Sequence, residues 1–349
     1  MKIDSLIVGQ GLAGSLLALH LLERGQRILV VDRDEANTSS KVAAGLVTPL
    51  AGARFNLPAG LETRLDYARA FYWNHEEAGG MTFFHHRRIA RLFQSAAERT
   101  AWNARLEKER ERYARFHEPL AIDTRHFPGS FGGFEMKEGG WLDVPAFLEY
   151  SRQRLLERAA YAIGRVKSED VTPGNDGIRW KNISASRIIF CEGWRGNQNR
   201  FFDWVPMNAA LGDILDLEIP ELAHERRIVS GGAWLIPRGS GHFRAGSNYR
   251  HRFASETPDE AGRTEVLQKL ARLTPVIPRV VAHRAAVRPV IRRSQVFMGT
   301  HPTHRHIAFF NGLGSKGVLN GPWYASQLAN HLIDGTPLPG DADLANNHF

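Results

Sequence analysis

The spacing of apolar residues along the first thirty-odd positions changes in a way that names the elements. Lys2 to Val8 is a short apolar run with β-branched residues, and it breaks into Gly9-Gln10-Gly11-Leu12-Ala13-Gly14. Ser15 to Arg24 follows with apolar residues at helical spacing, Ala18 and Leu21 falling on the packed face, and Gly25 stops it. Ile28 to Val31 is again continuously apolar and ends at Asp32. The pattern predicts strand, glycine turn, helix and a second buried strand.

Further on, the pattern alternates between helical and extended segments. Helices are predicted over Arg64 to Glu77, Ser95 to Phe116 and from Val144 through Arg158, the second bearing the charged run Arg105 to Arg112 that reads as a solvated face. Tyr161 to Thr172 reads as a strand, and the turn Pro173-Gly174-Asn175-Asp176-Gly177 pairs Ile178-Arg179-Trp180 with it as a hairpin. Arg187 to Trp194 is a buried strand with a glycine near its end. Ile214 to Leu217, Ala233 to Pro237 and His242 to Ser247 alternate as in an antiparallel sheet. Glu260 to Leu273 is an amphipathic helix stopped by Thr274-Pro275; Gln295 to Gly299 and His306 to Phe310 are strands. A second glycine-rich turn, Asn311 to Pro322, precedes a helix over Trp323 to Ile333, and the tail after Gly335 reads as a loose end.

Composition narrows the class. At 349 residues the chain has room for two domains, or one large domain with an insertion. Hydrophobic residues at 43% and charged residues at 23% exclude a disordered or fibrous chain. The apolar stretch Leu12 to Leu22 is too short for a membrane span. Met1-Lys2-Ile3-Asp4 runs straight into the first strand without a signal peptide, so a cytoplasmic product is expected. The single cysteine, Cys191, excludes an internal disulfide and reads as a small core residue. The net charge of +8 is scattered in clusters such as Arg87-Arg88 and Arg292-Arg293 with no nucleic-acid-binding motif, so it reads as solubility and mild attraction for anions. His301, His304 and His306 lie close together, but their loop setting favours a polar turn over a metal site, and no metal is expected.

The candidate chemistry begins at the first turn. Gly9 permits a tight reversal, Gly11 lets backbone approach a pyrophosphate, and Gly14 lets helix lie close on strand. The phosphates would sit on free N–H groups at the positive end of the helix dipole. Asp32 stands at the second strand's end, about 20 residues on, where a carboxylate accepts both hydroxyls of an adenosine ribose. Ser39-Ser40, followed by Val42-Ala43-Ala44-Gly45-Leu46, offers hydroxyls for a polyol or phosphate and then small residues beside a flat ring; a capped helix start is the plainer alternative, and both can hold.

Glycine turn, acidic strand end and Ser-Ser…Ala-Ala-Gly-Leu, in that order, resemble the FAD-dependent D-amino acid oxidase and glycine oxidase superfamily. The resemblance implies FAD rather than NAD, and an α/β fold: a Rossmann-like FAD domain with an inserted α+β substrate domain containing an antiparallel sheet. The FAD domain would comprise 1–53, 140–206 and 285–349, and the substrate domain 54–139 and 207–284. Gly139-Gly140-Trp141-Leu142-Asp143 resembles the family's return to the FAD domain.

By the same resemblance, FAD would be held in the first turn by Gly9, Gly11, Leu12, Ala13 and Gly14, at the second strand's end by Asp32 and Arg33, and beyond it by Ser39, Ser40, Ala44, Gly45 and Leu46. Val171 would set its backbone against the adenine. Cys191, Glu192 and Gly193 would lie beside the dinucleotide, Glu192 departing from the small residue usual there. Gly312, Gly314, Ser315, Lys316 and Gly317 would face the pyrimidine edge of the flavin, with Lys316 either adding positive charge or pointing to solvent.

Arg288-Pro289 matches the Arg-Pro pair that, in amino-acid oxidases, sends a guanidinium into the pocket to hold the substrate carboxylate bidentately. Tyr249 and Trp234 are candidates for pocket walls or a carboxylate hydrogen bond. The implied reaction is oxidation of a C–N bond in an amino or N-substituted amino acid by hydride transfer to flavin N5. Such chemistry asks for orientation rather than an acid–base pair. Partners would be a small carboxylate-bearing amine and an electron acceptor, O2 or a quinone or other carrier. A 2-hydroxy-acid oxidase or dehydrogenase, a tRNA-modifying amine oxidase and a non-enzymatic flavoprotein are the competing readings.

Overall fold

The first apolar run forms β1 (Lys2–Val8), which lies between β2 (Ile28–Asp32) and β12 (Ile183–Phe190), parallel to both. The computed structural model describes every residue except 51, 53, 130, 292–294 and 347–349, so the Arg292-Arg293 cluster lies outside the described residues. β9 (Tyr161–Ile163) extends the sheet beyond β2, and β19 (Ile307–Asn311) adds in parallel to the last residues of β12. The earlier part of β12 pairs with the hairpin β10 (Thr172–Gly174) and β11 (Gly177–Trp180), and β18 (Phe297–Thr300) lies antiparallel on β19. The parallel strands are apolar on both faces because both are covered. Ile7, Val30 and Ile189 face α1 (Leu12–Glu23), α5 (Val144–Leu156) and α7 (Gly317–Asp334); Leu6, Val31 and Ile188 pack beneath with Phe202 and Phe309.

A second sheet runs in the order β17 (Arg279–Arg288), β13 (Ala210–Glu218), β16 (His242–Gly246), β15 (Ala233–Gly239), β14 (Ile228–Gly231), β5 (Ile89–Leu92), β7 (Gly133–Met136) and β6 (His117–Pro119). Its back face buries Leu215, Leu217, Leu235 and Phe243 against Val266 and Leu270 of α6 (Glu260–Leu270). Period two then places Gly212, Ile214, Trp234 and Gly246 on the front. A small sheet, β3 (Leu46–Val47), β8 (Gly140–Leu142) and β4 (Phe84–His86), joins the two layers. The first sheet takes its strands from 1–53, 140–206 and 285–349. The second takes them from 54–139 and 207–284, except that β17 runs on to Arg288. The remaining helices are α2 (Ser39–Val42), α3 (Leu61–Gly79) and α4 (Ala96–Ala114).

Four elements differ from the pattern's prediction. Glu109 interrupts α4 with φ −135° and ψ 34°, its carboxylate held by Arg105 at 3.0 Å and Arg112 at 2.9 Å. The strand expected over Tyr161 to Thr172 ends at Ile163, after which the chain follows the sheet edge and turns inward at Ser168–Asp170. The tail is not loose. Leu338, Ala342 and Leu344 are buried, and Met298 N–H donates to Ala342 O at 2.9 Å. Finally, α7 begins at Gly317, six residues before Trp323, with Pro322 inside it.

Pro322 misled the reading because a proline inside a helix strips the carbonyl four residues earlier of its donor and costs about 3 kcal/mol. Here the freed carbonyl belongs to Val318, and the buried hydroxyl of Tyr72 donates to it at 3.0 Å. The Pro322 carbonyl in turn meets His20 Nε2 at 3.1 Å, and burial pushes that imidazole down to about 4, so it is neutral. No described helix is long and apolar enough to cross a membrane. Tyr72→Phe leaves the Val318 carbonyl buried without a donor and is expected to cost about 1–3 kcal/mol, read as a lower urea midpoint at constant slope.

Candidate functional site

β1, β12 and β19 run in parallel, so the turns after them emerge at one edge and border a cleft of about 1040 Å³. Gly9 takes φ +101°, and a Cβ there would fall 2.6 Å from Cys191 O; one on Gly14 would fall 1.9 Å from Gly9 O. Only glycines let these backbones close up. Gly11 is the N-cap of α1, with no acidic residue in the helix's first turn, and Ser40 Oγ accepts from Leu12 N–H at 3.0 Å. The start of α1 therefore presents positive dipole, a serine hydroxyl and bare backbone to the cleft, where Leu12 and Ala13 also lie.

Asp32 Oδ2 accepts from Gln10 N–H and Oδ1 from Asp34 N–H, both at 2.7 Å, which fixes the carboxylate and leaves further acceptor sites on each oxygen. Gln10, which the glycine pattern did not single out, also ties to Leu148 O at 2.8 Å and to Arg152 at 3.0 Å. Arg33 pairs with Glu35 at 3.3 Å on the cleft wall. Ser39, Ala44, Gly45 and Leu46 continue that wall; Gly45, at φ +70°, presses its Cα against Leu142 O.

Cys191, Glu192 and Gly193 line the cleft. Burial pushes the Cys191 thiol up, so it is protonated. Gly314, Ser315, Lys316 and Gly317 form the opposite lip, where burial, reinforced by Arg64, lowers the Lys316 pKa. Gly14 and Gly312 stand behind the lining: Gly14 against Gly9, and Gly312, at φ +79°, against Gln295 O. Val171 is a correction. Because β9 stops at Ile163, the residues passing along the cleft are Gly164 to Glu169, with Val166 on the wall, and Val171 is buried in the core beneath the sheet. His301 forms a polar turn, its Nδ1 accepting from the N–H groups of Thr303 at 3.1 Å and His304 at 3.2 Å. The side chains with metal-ligand spacing among the described residues are Asp123, His126 and His224, outside the cleft.

Over the other end of the cleft lies the front of the second sheet. Arg288 ends β17, and its guanidinium rests directly on Gly212 of β13, where a Cβ would fall 2.2 Å from it. Its Nη1 donates to Asn248 O at 2.9 Å and it stacks on the Tyr249 ring at 4.3 Å. Among the described residues no carboxylate forms an ion pair with it. Asp213, whose charge acts on Arg288, points to the back face and is engaged there by Arg250 at 2.9 Å and His283 at 2.8 Å. Tyr249 is half exposed, its hydroxyl bonded to Ser315 of the facing loop, and Trp234 lies over Gly246. Arg288, Tyr249, Trp234 and Lys316 thus line one cleft, together with Gly212, which the sequence pattern missed.

Fold and cleft define a dinucleotide-binding α/β protein in which a second, mixed sheet, antiparallel except where β5 joins β14, covers one end of the cleft. The chain belongs to the FAD dependent oxidoreductase (DAO) family, whose model matches residues 4–331. Among solved structures, glycine oxidase from Geobacillus kaustophilus superposes with a TM-score of 0.80 at 17% identity, covering 96% of this chain and 95% of that one. Iminodiacetate oxidase from Chelativorans sp. BNC1 gives 0.78 at 18% identity, covering 96% of each. Among curated sequences, glycine oxidase of Bacillus subtilis (strain 168) is 26% identical over 170 residues, 47% of this chain and 44% of its own length. The tRNA 5-methylaminomethyl-2-thiouridine biosynthesis bifunctional protein of Burkholderia pseudomallei (strain 1106a) is 23% identical over 397 residues, 98% of this chain and 58% of its own length. The chain thus spans about half the length of these curated relatives.

The cofactor of the family is FAD, and the cleft fits it on its own evidence: a backbone cradle that a Cβ at Gly9 would fill, a helix start without competing acid, and a fixed carboxylate at the strand end. Burial pushes Glu192 up to about 7, against the opposing hydrogen bond from Asn199 at 2.8 Å. A carboxyl raised above its unfolded value favours folding while protonated, and that contribution is lost as pH rises through about 7. In the apoprotein, Glu192→Gln is expected to gain stability relative to the parent between about pH 5 and about pH 8, by on the order of 2 kcal/mol in urea unfolding. A parallel pH dependence in the two proteins would contradict this. Gly11→Val, whose side chain would enter the cradle beside Ser40, is expected to yield folded but colourless protein; retained flavin absorbance would remove the turn from the phosphate site.

Proposed function

We propose that the protein oxidises a C–N bond of an amino acid or N-substituted amino acid. The observation that carries this reading is Arg288: a guanidinium at the sheet-covered end of the cleft, laid flat on a glycine and, among the described residues, without a carboxylate ion-paired to it. Removal of Arg288 from bulk solvent lowers its pKa, and a substrate carboxylate would restore the missing counter-charge through a planar, two-point contact. Tyr249 holds the guanidinium from one side through its ring and ties the arrangement to Ser315. The substrate's α-carbon is thereby fixed relative to the cleft, the orientation that such a reaction requires.

The neighbouring cations also act on the amine. Arg288 and Lys316 both line the cleft, and positive charge disfavours a substrate ammonium, keeping the nitrogen lone pair available. Bound in the cleft, FAD would supply a two-electron acceptor for the hydride leaving the α-carbon as that lone pair forms the C=N bond, its electrons going on to dioxygen or another carrier. The iminium so formed would lose one N–H proton to water, where it has one, and water would hydrolyse it to a carbonyl compound and an amine or ammonia.

Anaerobic mixing of the flavoprotein with D-, L- and N-methyl amino acids and with their 2-hydroxy analogues tests this. Bleaching of the flavin band by amines alone is expected; bleaching by the hydroxy acids alone would overturn the reading. Arg288→Ala and Arg288→Lys are each expected to raise KM for a carboxylate substrate by about 100-fold, with flavin content intact. Unchanged kinetics would remove Arg288 from the site.

A further inference from the structure

The front face of the second sheet is longer than a small amino acid needs. Its register sets Ile214, Gly246, Trp234, Ser230 and Arg91 side by side on β13, β16, β15, β14 and β5. Paired residues in a sheet point the same way, and strands lie about 4.8 Å apart, so four steps carry this row roughly 19 Å from the strand beneath the Arg288 guanidinium to Arg91. All five residues but Gly246 border the cleft itself. Glycine or sarcosine, held by its carboxylate at Arg288, would occupy the first step alone.

The rest of the row has a definite chemistry. Trp234 lies flat because Gly246 has no side chain, a Cβ there falling 2.6 Å from the indole, so a planar apolar surface adjoins the arginine. Ser230 comes next, and its small side chain leaves a dip between the indole and Arg91. At the far end Arg91 and Glu98 cancel each other through two bonds of 3.1 Å, and Glu98 also accepts from Gln94 N–H at 2.9 Å. The Gln94 side-chain amide borders the cleft beside the Gly231-Gly232 hairpin tip. Among the described residues, neither that amide nor the Ser230 hydroxyl has a hydrogen-bond partner.

We infer that the substrate is an amino carboxylate carrying an extended planar substituent with an uncharged hydrogen-bonding end. This rests on the C–N reading above. The carboxylate sits on Arg288, the plane on Trp234, and the polar end on Ser230 and Gln94. A charged end is disfavoured because Arg91 and Glu98 there already neutralise each other. A substrate lacking the polar end leaves the amide and hydroxyl unmatched, which is how a built polar site discriminates strongly.

The substituent can be attached at nitrogen or at the α-carbon, and the test separates the two. The holoenzyme is reduced anaerobically with glycine, sarcosine, N-(4-carbamoylbenzyl)glycine and both enantiomers of 4-carbamoylphenylalanine. One extended arm is expected to exceed sarcosine in kcat/KM by about 100-fold. Ser230→Phe, which fills the dip, and Gln94→Leu, which removes the amide, are each expected to lower that ratio by at least about 10-fold. Calorimetric binding of the non-oxidisable ether (4-carbamoylbenzyloxy)acetate, compared with methoxyacetate, should follow the same order if attachment is at nitrogen. Sarcosine or glycine matching both extended arms, or ratios unmoved in both variants, overturns the inference and leaves the C–N reading standing. Absence of bleaching by every amine overturns both.

Discussion

The site depends on one topological constraint, the parallel pairing of β12 with β1 on one side and β19 on the other. Parallel strands release their following turns at the same edge of a sheet, so chain segments some three hundred residues apart, Gly9–Gly14 and Gly312–Gly317, open on the same cleft. The helices that follow must then pack close together. Gly317 and Gly321 of α7 meet Leu12 and Leu16 of α1, and a Cβ on Gly321 would fall 2.6 Å from Leu16 Cδ1. Two helix N-termini consequently point positive dipoles into one groove.

The second sheet uses glycine for a different purpose. In the turns, glycine lets backbone approach backbone; at Gly212 and Gly246 it lets a guanidinium and an indole lie flat on a β-sheet. A residue with a Cβ at either position would lift those groups into the cleft. The alternation of β13 then separates charges that would otherwise neutralise one another: Arg288 lies over Gly212 on the front, while Asp213, the next residue, is buried on the back with Arg250 and His283. An arginine held away from water without a carboxylate is costly unless something else supplies the negative charge. Retaining it in that state is a stronger pointer to a bound carboxylate than the Arg-Pro dipeptide alone.

The first turn, Asp32 and the last glycine loop were legible because each depends on local rules: period, breaker and cap within a dozen residues. What escaped depends on partners distant in sequence. The start of α7 was hidden by Pro322, whose cost is relieved by Tyr72, some 250 residues earlier. Val171 was misplaced because nothing local marks where β9 ends; the chain there follows Asp32, whose carbonyl accepts from Gly164 N–H at 2.8 Å. The tail contains too few apolar residues to signal packing, yet Ala342 and Leu344 are buried through a bridge to β18. Gln10 sits between the two glycines that drew attention, and its N–H, with that of Asp34, fixes Asp32. Gly212 had no motif to mark it, since its role appears only when β17 is laid beside β13.

The same contrast explains how one framework accommodates different chemistry. Gly9, Gly14 and Gly45 are fixed by neighbouring backbone, so any substitution there disturbs the sheet–helix contacts that make the fold. Ser230, Trp234 and Gln94 stand on the margin of the cleft, where exchange alters what is touched. A superposition at TM-score 0.80 with 17% identity is what such a division allows: backbone geometry shared, front-face side chains free to differ. The row from Ile214 to Arg91 has its neighbours set by strand pairing rather than by sequence proximity, which is why no linear motif announces it.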